Sequence, residues 1–196
     1  MVETNAFLPP RPSISWDHLD TESYRDAQYE FLQHTSLVDV IKNDESLRKF
    51  ASPLEAVEYL RDSLREKITY TPGATGVHTK ASESWALGLG VCQDFTHLAL
   101  GALRSVGIPA RYVSGYLHPQ VEPRIGQPVE GESHAWVEWY AGEWIPNDPT
   151  NNLEFPDRHI VVARGRDYDD VPPLRGVYAG GANSELFVKV EITREA

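Results

Sequence analysis

Between Gly90 and Pro109 the chain reads GVCQDFTHLALGALRSVGIP, and its apolar positions (Cys92, Phe95, Leu98, Ala99, Ala102, Leu103, Val106) recur at intervals of three and four. That spacing is the period of an α-helix. Gly107 with Pro109 just beyond it is the usual way such a helix stops. The stripe is apolar enough to predict a central, buried helix around which the other elements must pack. A second helix is predicted upstream. Ser52-Pro53-Leu54-Glu55 combines a capping box with proline at the first helical position. Leu54, Val57, Leu60, Leu64 and Ile68 then form a stripe of about four turns. Ser82–Leu87 reads as a short helix ended by Gly88, and residues 21–50 as partly helical through Tyr24, Ala27, Phe31 and Leu32. Pro9, Pro10 and Pro12 make the first twenty residues an extended lead-in.

After Pro109 the period changes. Arg111–Leu117, Ser133–Trp139, Glu143–Asn147, His159–Ala163 and Glu185–Ile192 are strand candidates. Residues 118–131 read as a Pro/Gly loop and Asp167–Gly181 as irregular. Helices followed by strands predict an α+β fold, with a buried central helix packed on an antiparallel β-sheet.

Charge and cysteine content bound the function. Eighteen Lys and Arg against 29 Asp and Glu leave a net charge of −11, which repels phosphate backbones and anionic lipid. Nucleic acid and membrane are therefore not expected as partners. With one cysteine no internal disulfide can form. The start, MVETNAFLPP, lacks the pattern of a signal peptide, and no apolar run approaches a membrane span. The expectation is a cytoplasmic protein.

The lone cysteine, Cys92, falls at the first turn of the predicted central helix. Helix N-termini carry unpaired N–H groups and partial positive charge, which favour thiolate, the nucleophilic form. The same N–H groups can hold an oxyanion, and Gly90 is expected to let a substrate backbone come close. A small buried hydrophobe is the competing reading of such a cysteine.

A thiol nucleophile needs a base, and the base an orienting group. His134 lies in the strand pattern SHAWVEW, and Asp148 ends the next strand, EWIPND. If the loop is Tyr140-Ala141-Gly142, Trp139 pairs with Glu143, and counting outward puts His134 directly opposite Asp148, with Cβ atoms about 4.5–5.5 Å apart. A two-residue loop, Ala141-Gly142, would instead turn Asp148 to the other face.

These segments resemble the bacterial transglutaminase-like family, within the papain-like cysteine protease superfamily. The motifs that carry the resemblance are Gly90-Val91-Cys92-Gln93-Asp94-Phe95, Gly107-Ile108-Pro109-Ala110-Arg111-Tyr112-Val113-Ser114-Gly115-Tyr116, His134-Ala135-Trp136-Val137-Glu138, Asn147-Asp148-Pro149-Thr150-Asn151, and Gly165-Arg166-Asp167-Tyr168 followed by Asp170-Val171-Pro172-Pro173. The resemblance implies a papain-like fold and a Cys–His–Asp triad of Cys92, His134 and Asp148. Residues 51–196 would then be the catalytic domain and 1–50 an N-terminal extension.

The implied chemistry is acyl transfer or hydrolysis at an amide bond of a protein or peptide. An amine or water completes the cycle. Gln93 and Gly90 are candidates for oxyanion or substrate contacts, as are Trp85 and Trp136. Trp139 and Trp144 are further aromatic candidates for a cleft, although core positions suit at least two of these four. No cofactor or metal is expected: the chain lacks an acidic calcium loop, and His78, His118, His134 and His159 show no HExxH-like spacing. A silent binding module of the same fold and a histidine-based metal hydrolase are the alternatives.

Overall fold

A computed structural model of the chain describes residues 13–39, 44–151, 158–172 and 189–195. Two short helices, α1 (Trp16–Leu19) and α2 (Glu22–Ala27), precede 3-10 turns at Tyr29–Leu32 and Asp44–Lys49. Helix α3 (Pro53–Lys67) starts as the sequence predicts: the Ser52 hydroxyl accepts from the Glu55 N–H at 3.2 Å, and Val57, Leu60 and Leu64 are buried. Strand β1 (Thr69–Tyr70), helix α4 (Ala81–Leu87) and strand β2 (Leu89–Gly90) lead into helix α5 (Cys92–Ser105). Gly88 ends α4 at φ +69° and Gly107 follows α5 at φ +81°, left-handed positions that favour glycine.

The remaining strands are β3 (Ala110–Leu117), β4 (Pro128–Glu130), β5 (Glu132–Tyr140), β6 (Trp144–Asn147), β7 (His159–Gly165) and β8 (Glu191–Thr193). Four of them form an antiparallel sheet in the order β6-β5-β3-β7. Ala110 and Tyr112 of β3, with Ala135, Val137 and Trp139 of β5, pack into one core with Phe95, Leu98 and Leu103 of α5. His134, Trp136 and Glu138 alternate with those β5 residues, as the two-residue period of a strand requires. Leu19, Tyr24 and Val38 of the N-terminal segment are buried in the same core. The buried Arg104 guanidinium fastens that segment further. It donates to the carbonyls of Gln33 (2.9 Å), Ala110 (2.8 Å) and Arg166 (2.6 Å). No helix among the described residues is long and apolar enough to cross a membrane.

Several expectations need correction. The β5–β6 loop is Ala141-Gly142-Glu143, with Tyr140 paired to Trp144 and Val137 to Asn147. The register is thus two residues from the predicted one. The aromatic residues explain the choice: Tyr140 and Trp144 pack at 5.1 Å, the Arg111 guanidinium sits 4.0 Å over the Trp144 ring, and Phe31 meets that ring edge-on. An even shift preserves the face, so Asp148 reaches His134 diagonally rather than from directly opposite.

The predicted loop 118–131 contains β4, which pairs with β8. The predicted strand Glu185–Ile192 begins only at Glu191 among the described residues; its first half, the proline lead-in and most of Asp167–Gly181 lie outside them. The short parallel pair β1–β2, Thr69 with Leu89 and Tyr70 with Gly90, carries no pattern long enough to read from sequence.

At Gly115 the β3–β7 register shifts. A Cβ there would lie 2.0 Å from the Ile160 carbonyl oxygen and 2.8 Å from the Trp136 ring. Backbone cannot move aside as a flexible side chain can. Gly115→Ala is therefore expected to cost about 1–3 kcal/mol of stability through overpacking, read as a lower midpoint in chemical denaturation. An unchanged midpoint would show that the close approach is dispensable.

Candidate active site

Cys92 is the first residue of α5. The preceding residue, Val91, has no side-chain oxygen, so no side chain caps the first turn from the N-cap position, and the Asp94 carboxylate reaches back to accept from the Val91 N–H at 2.8 Å. The thiol is free and partly exposed, so it is neither sealed in the core nor fully in solvent. The 71–80 loop is pinned over the helix start: the Thr75 hydroxyl donates to Asp94 at 2.6 Å and the Gln93 amide donates to the Val77 carbonyl at 2.9 Å. Burial holds Asp94 above the usual carboxylate range, against these hydrogen bonds.

His134, the third residue of β5, donates from Nε2 to Asp148 Oδ2 at 2.8 Å. Cys92 lies close enough to add, with Asp148, to the rise in the His134 pKa. With Nε2 taken by Asp148, Nδ1 is the ring atom left for sulfur. Burial disfavours the charged imidazole, but Asp148 and Cys92 outweigh it and raise its pKa to about 9.

Asp148, just past β6, is fully buried. Its Oδ1 accepts from the backbone N–H groups of Thr150 (2.9 Å) and Asn151 (3.1 Å). Its Oδ2 also accepts from the Asn151 amide (3.1 Å) and His159 Nε2 (3.0 Å). Burial alone would push its pKa up; the two imidazoles more than reverse that and hold it well below the ordinary carboxylate range.

The structure thus brings Cys92, His134 and Asp148 together. The tentative candidates fare differently. The space beside Gly90 is filled by Asp94, whose Cβ a side chain would meet at 2.7 Å, and by Ser84 at 2.9 Å. Its missing side chain therefore seats the helix start, which corrects the idea that it makes room for substrate. Gln93 is engaged by Val77. Trp136 is 1% exposed and underlies the histidines, with its ring 6.0 Å from His134. Trp139 is equally buried, whereas Trp85 is half-buried with Lys67 over its ring at 5.4 Å.

Sequence reasoning missed His159 as a neighbour of Asp148 and His134. It is the first residue of β7, two strands away from β5, and no local motif marks it. It also missed Tyr70, an exposed aromatic raised by partial burial and by the charges of Cys92, Glu132 and Asp148, hence close to the site. His134, Asp148 and His159 offer three metal-ligand atoms within 4.8 Å of one another. Both Nε2 atoms already bond to the carboxylate, so a cation would have to displace those hydrogen bonds.

Residues 42–149 match the family model described as the transglutaminase-like superfamily, a span that contains Cys92, His134 and Asp148. An uncharacterised protein of Mycobacterium leprae is 43% identical over the whole of this chain, which covers 72% of that protein. The protein-glutamine gamma-glutamyltransferase of Pseudomonas aeruginosa is 32% identical over 59% of this chain and 18% of its own length. A crystal structure from Cytophaga hutchinsonii, provisionally described as a cysteine protease, superposes with a TM-score of 0.64 at 27% identity, covering 79% of this chain and 51% of that one.

The raised His134 pKa has a consequence for stability. Its folded value, about 9, lies above the ordinary 6.5. The contribution is therefore complete below pH 6.5 and is lost as pH rises through 9. Relative to Asp148→Asn, the wild type should lose on the order of 2 kcal/mol across that window, measured by urea denaturation at a series of pH values. Parallel curves for the two proteins would contradict the assignment.

Proposed function

This chain belongs to the transglutaminase-like superfamily, and from that premise we propose that it is a thiol-dependent enzyme acting on amide bonds of proteins or peptides. The observation that carries the reading is the buried His134–Asp148 pair at 2.8 Å, together with Cys92 at the start of a buried helix and near enough to raise the His134 pKa.

In the proposed cycle the Cys92 proton passes to His134, and the sulfur attacks the amide carbonyl. The carbonyl oxygen takes up the negative charge and is met by N–H groups of the α5 first turn, including that of Cys92, where no N-cap side chain competes for them. The tetrahedral adduct collapses as the C–N bond breaks, and the leaving amine takes the proton held by His134. A thioester remains on Cys92. An incoming amine or water gives a proton to His134, attacks the thioester and releases the thiolate, which recovers its proton. Asp148 fixes the His134 tautomer and stabilises the ring while it is charged.

Transfer to an amine is supported by the name of the Pseudomonas relative, and hydrolysis by the description of the Cytophaga structure. The two differ only in the acceptor that reaches the thioester. A reducing, cytoplasmic setting suits a free reactive thiol.

Cys92→Ala is expected to abolish both amine incorporation into glutamine-containing peptides and their cleavage, while chelators leave the wild type unaffected. Asp148→Asn should lower kcat by about 10³–10⁴-fold. Iodoacetamide should alkylate Cys92 rapidly near neutral pH. Activity retained in Cys92→Ala would refute the proposal, and loss of activity on chelation would point to a metal hydrolase. An unreactive thiol would point to a silent module.

A further inference from the structure

Asp148 Oδ2 serves two imidazoles. His134 Nε2 lies 2.8 Å from it and His159 Nε2 3.0 Å. A carboxylate only accepts, so each histidine must present an N–H at Nε2. We propose that His159 is a positioning residue for the reaction at Cys92: by donating to the oxygen that serves His134, it fixes the carboxylate and limits how firmly Asp148 holds the His134 proton. The inference rests on the functional reading above.

The fold goes out of its way to make this contact. β7 is separated from β5 by β3. His159 can act across that gap because the intervening strand has Gly115 paired to His134, where no side chain intrudes and the Trp136 ring fills the space. The Trp136 ring meets His159 edge-on at 5.0 Å, and the two imidazole centroids are 5.7 Å apart.

Among the described residues, the charged and titratable groups acting on His159 include Asp148 past β6, His134 on β5 and its own neighbour Arg158. Burial, His134 and Arg158 all disfavour a charge on it, against the pull of Asp148, and the net effect lowers its pKa. At neutral pH His159 is therefore an uncharged donor beside a charged His134. Each donor on Oδ2 takes a share of the carboxylate's negative charge. Removing His159 leaves more of it for the His134 imidazolium, which then releases its proton less readily to the leaving amine.

The test is the pH dependence of Cys92 alkylation by iodoacetate, an anion drawn to the charged His134. It is measured on the wild type, His159→Phe and His159→Gln, with circular dichroism to verify folding. The wild-type rate should fall at high pH as His134 loses its proton. In His159→Phe that descending limb should move up by about one pH unit. In His159→Gln, whose amide restores an N–H donor, the limb should return toward the wild-type position. A limb that stays in place in His159→Phe, or that moves equally in both variants, would overturn the inference and leave His159 a space-filling residue. Should His159→Phe fail to fold, nitrogen-15 spectra of the wild type decide: Nε2–H with bare Nδ1 on His159 supports the inference, and the opposite tautomer overturns it. A wild-type profile with no descending limb at all would overturn the thiol–imidazole reading of the site itself, a result distinct from failure of the His159 variants.

Discussion

A carboxylate with no solvent exposure has to be surrounded by donors, because an unpaired buried charge costs several kcal/mol. Asp148 meets that demand with five: two backbone N–H groups from the turn after β6, the Asn151 amide, and the imidazoles of His134 and His159. Three of these donors come from the turn after β6, one from β5 and one from β7. Satisfying this one group therefore holds the end of β6 against β5 and reaches β7 across β3. The same bonds hold the His134 ring so that its second nitrogen is left for sulfur.

The sulfur comes from the other half of the molecule. α5 is buried along nearly its whole length, so its start cannot drift relative to the sheet without disrupting packing around Leu98 and Leu103. Its first turn is stabilised from behind, by Asp94 reaching back to Val91 and by the 71–80 loop through Thr75 and Gln93. A serine or aspartate at the N-cap would have taken the N–H groups that an oxyanion needs. Valine there takes none of them, and Asp94, two positions after the thiol, accepts from the Val91 N–H instead.

Strong periodicity was legible in the sequence, and weak or long-range geometry was not. The stripes of α3 and α5, the glycines that end α4 and α5, and the strand segments of β3 and β5 all announce themselves, because local sterics and short-range apolar spacing determine them. The β5–β6 register does not. It depends on Tyr140 choosing Trp144 as its cross-strand partner, an aromatic preference that loop-length rules do not capture. The error was harmless to the site because a two-residue shift returns Asp148 to the same face. His159 was seen as a strand residue but could not be placed beside Asp148, since that contact crosses an intervening strand and depends on Gly115. Gly90 invited a reading as an opening for substrate, whereas its neighbours are Asp94 and Ser84.

The central claim is that Cys92 carries the acyl group. Its most direct measurement is intact-mass spectrometry of the protein, quenched in acid while it turns over glutamine-containing peptides. The account predicts a mass increase equal to the peptide less ammonia (or, for peptide-bond cleavage, the acyl fragment), which maps to Cys92 and is discharged by an added amine or by water. Turnover without any such adduct, or an adduct on another side chain, would contradict it.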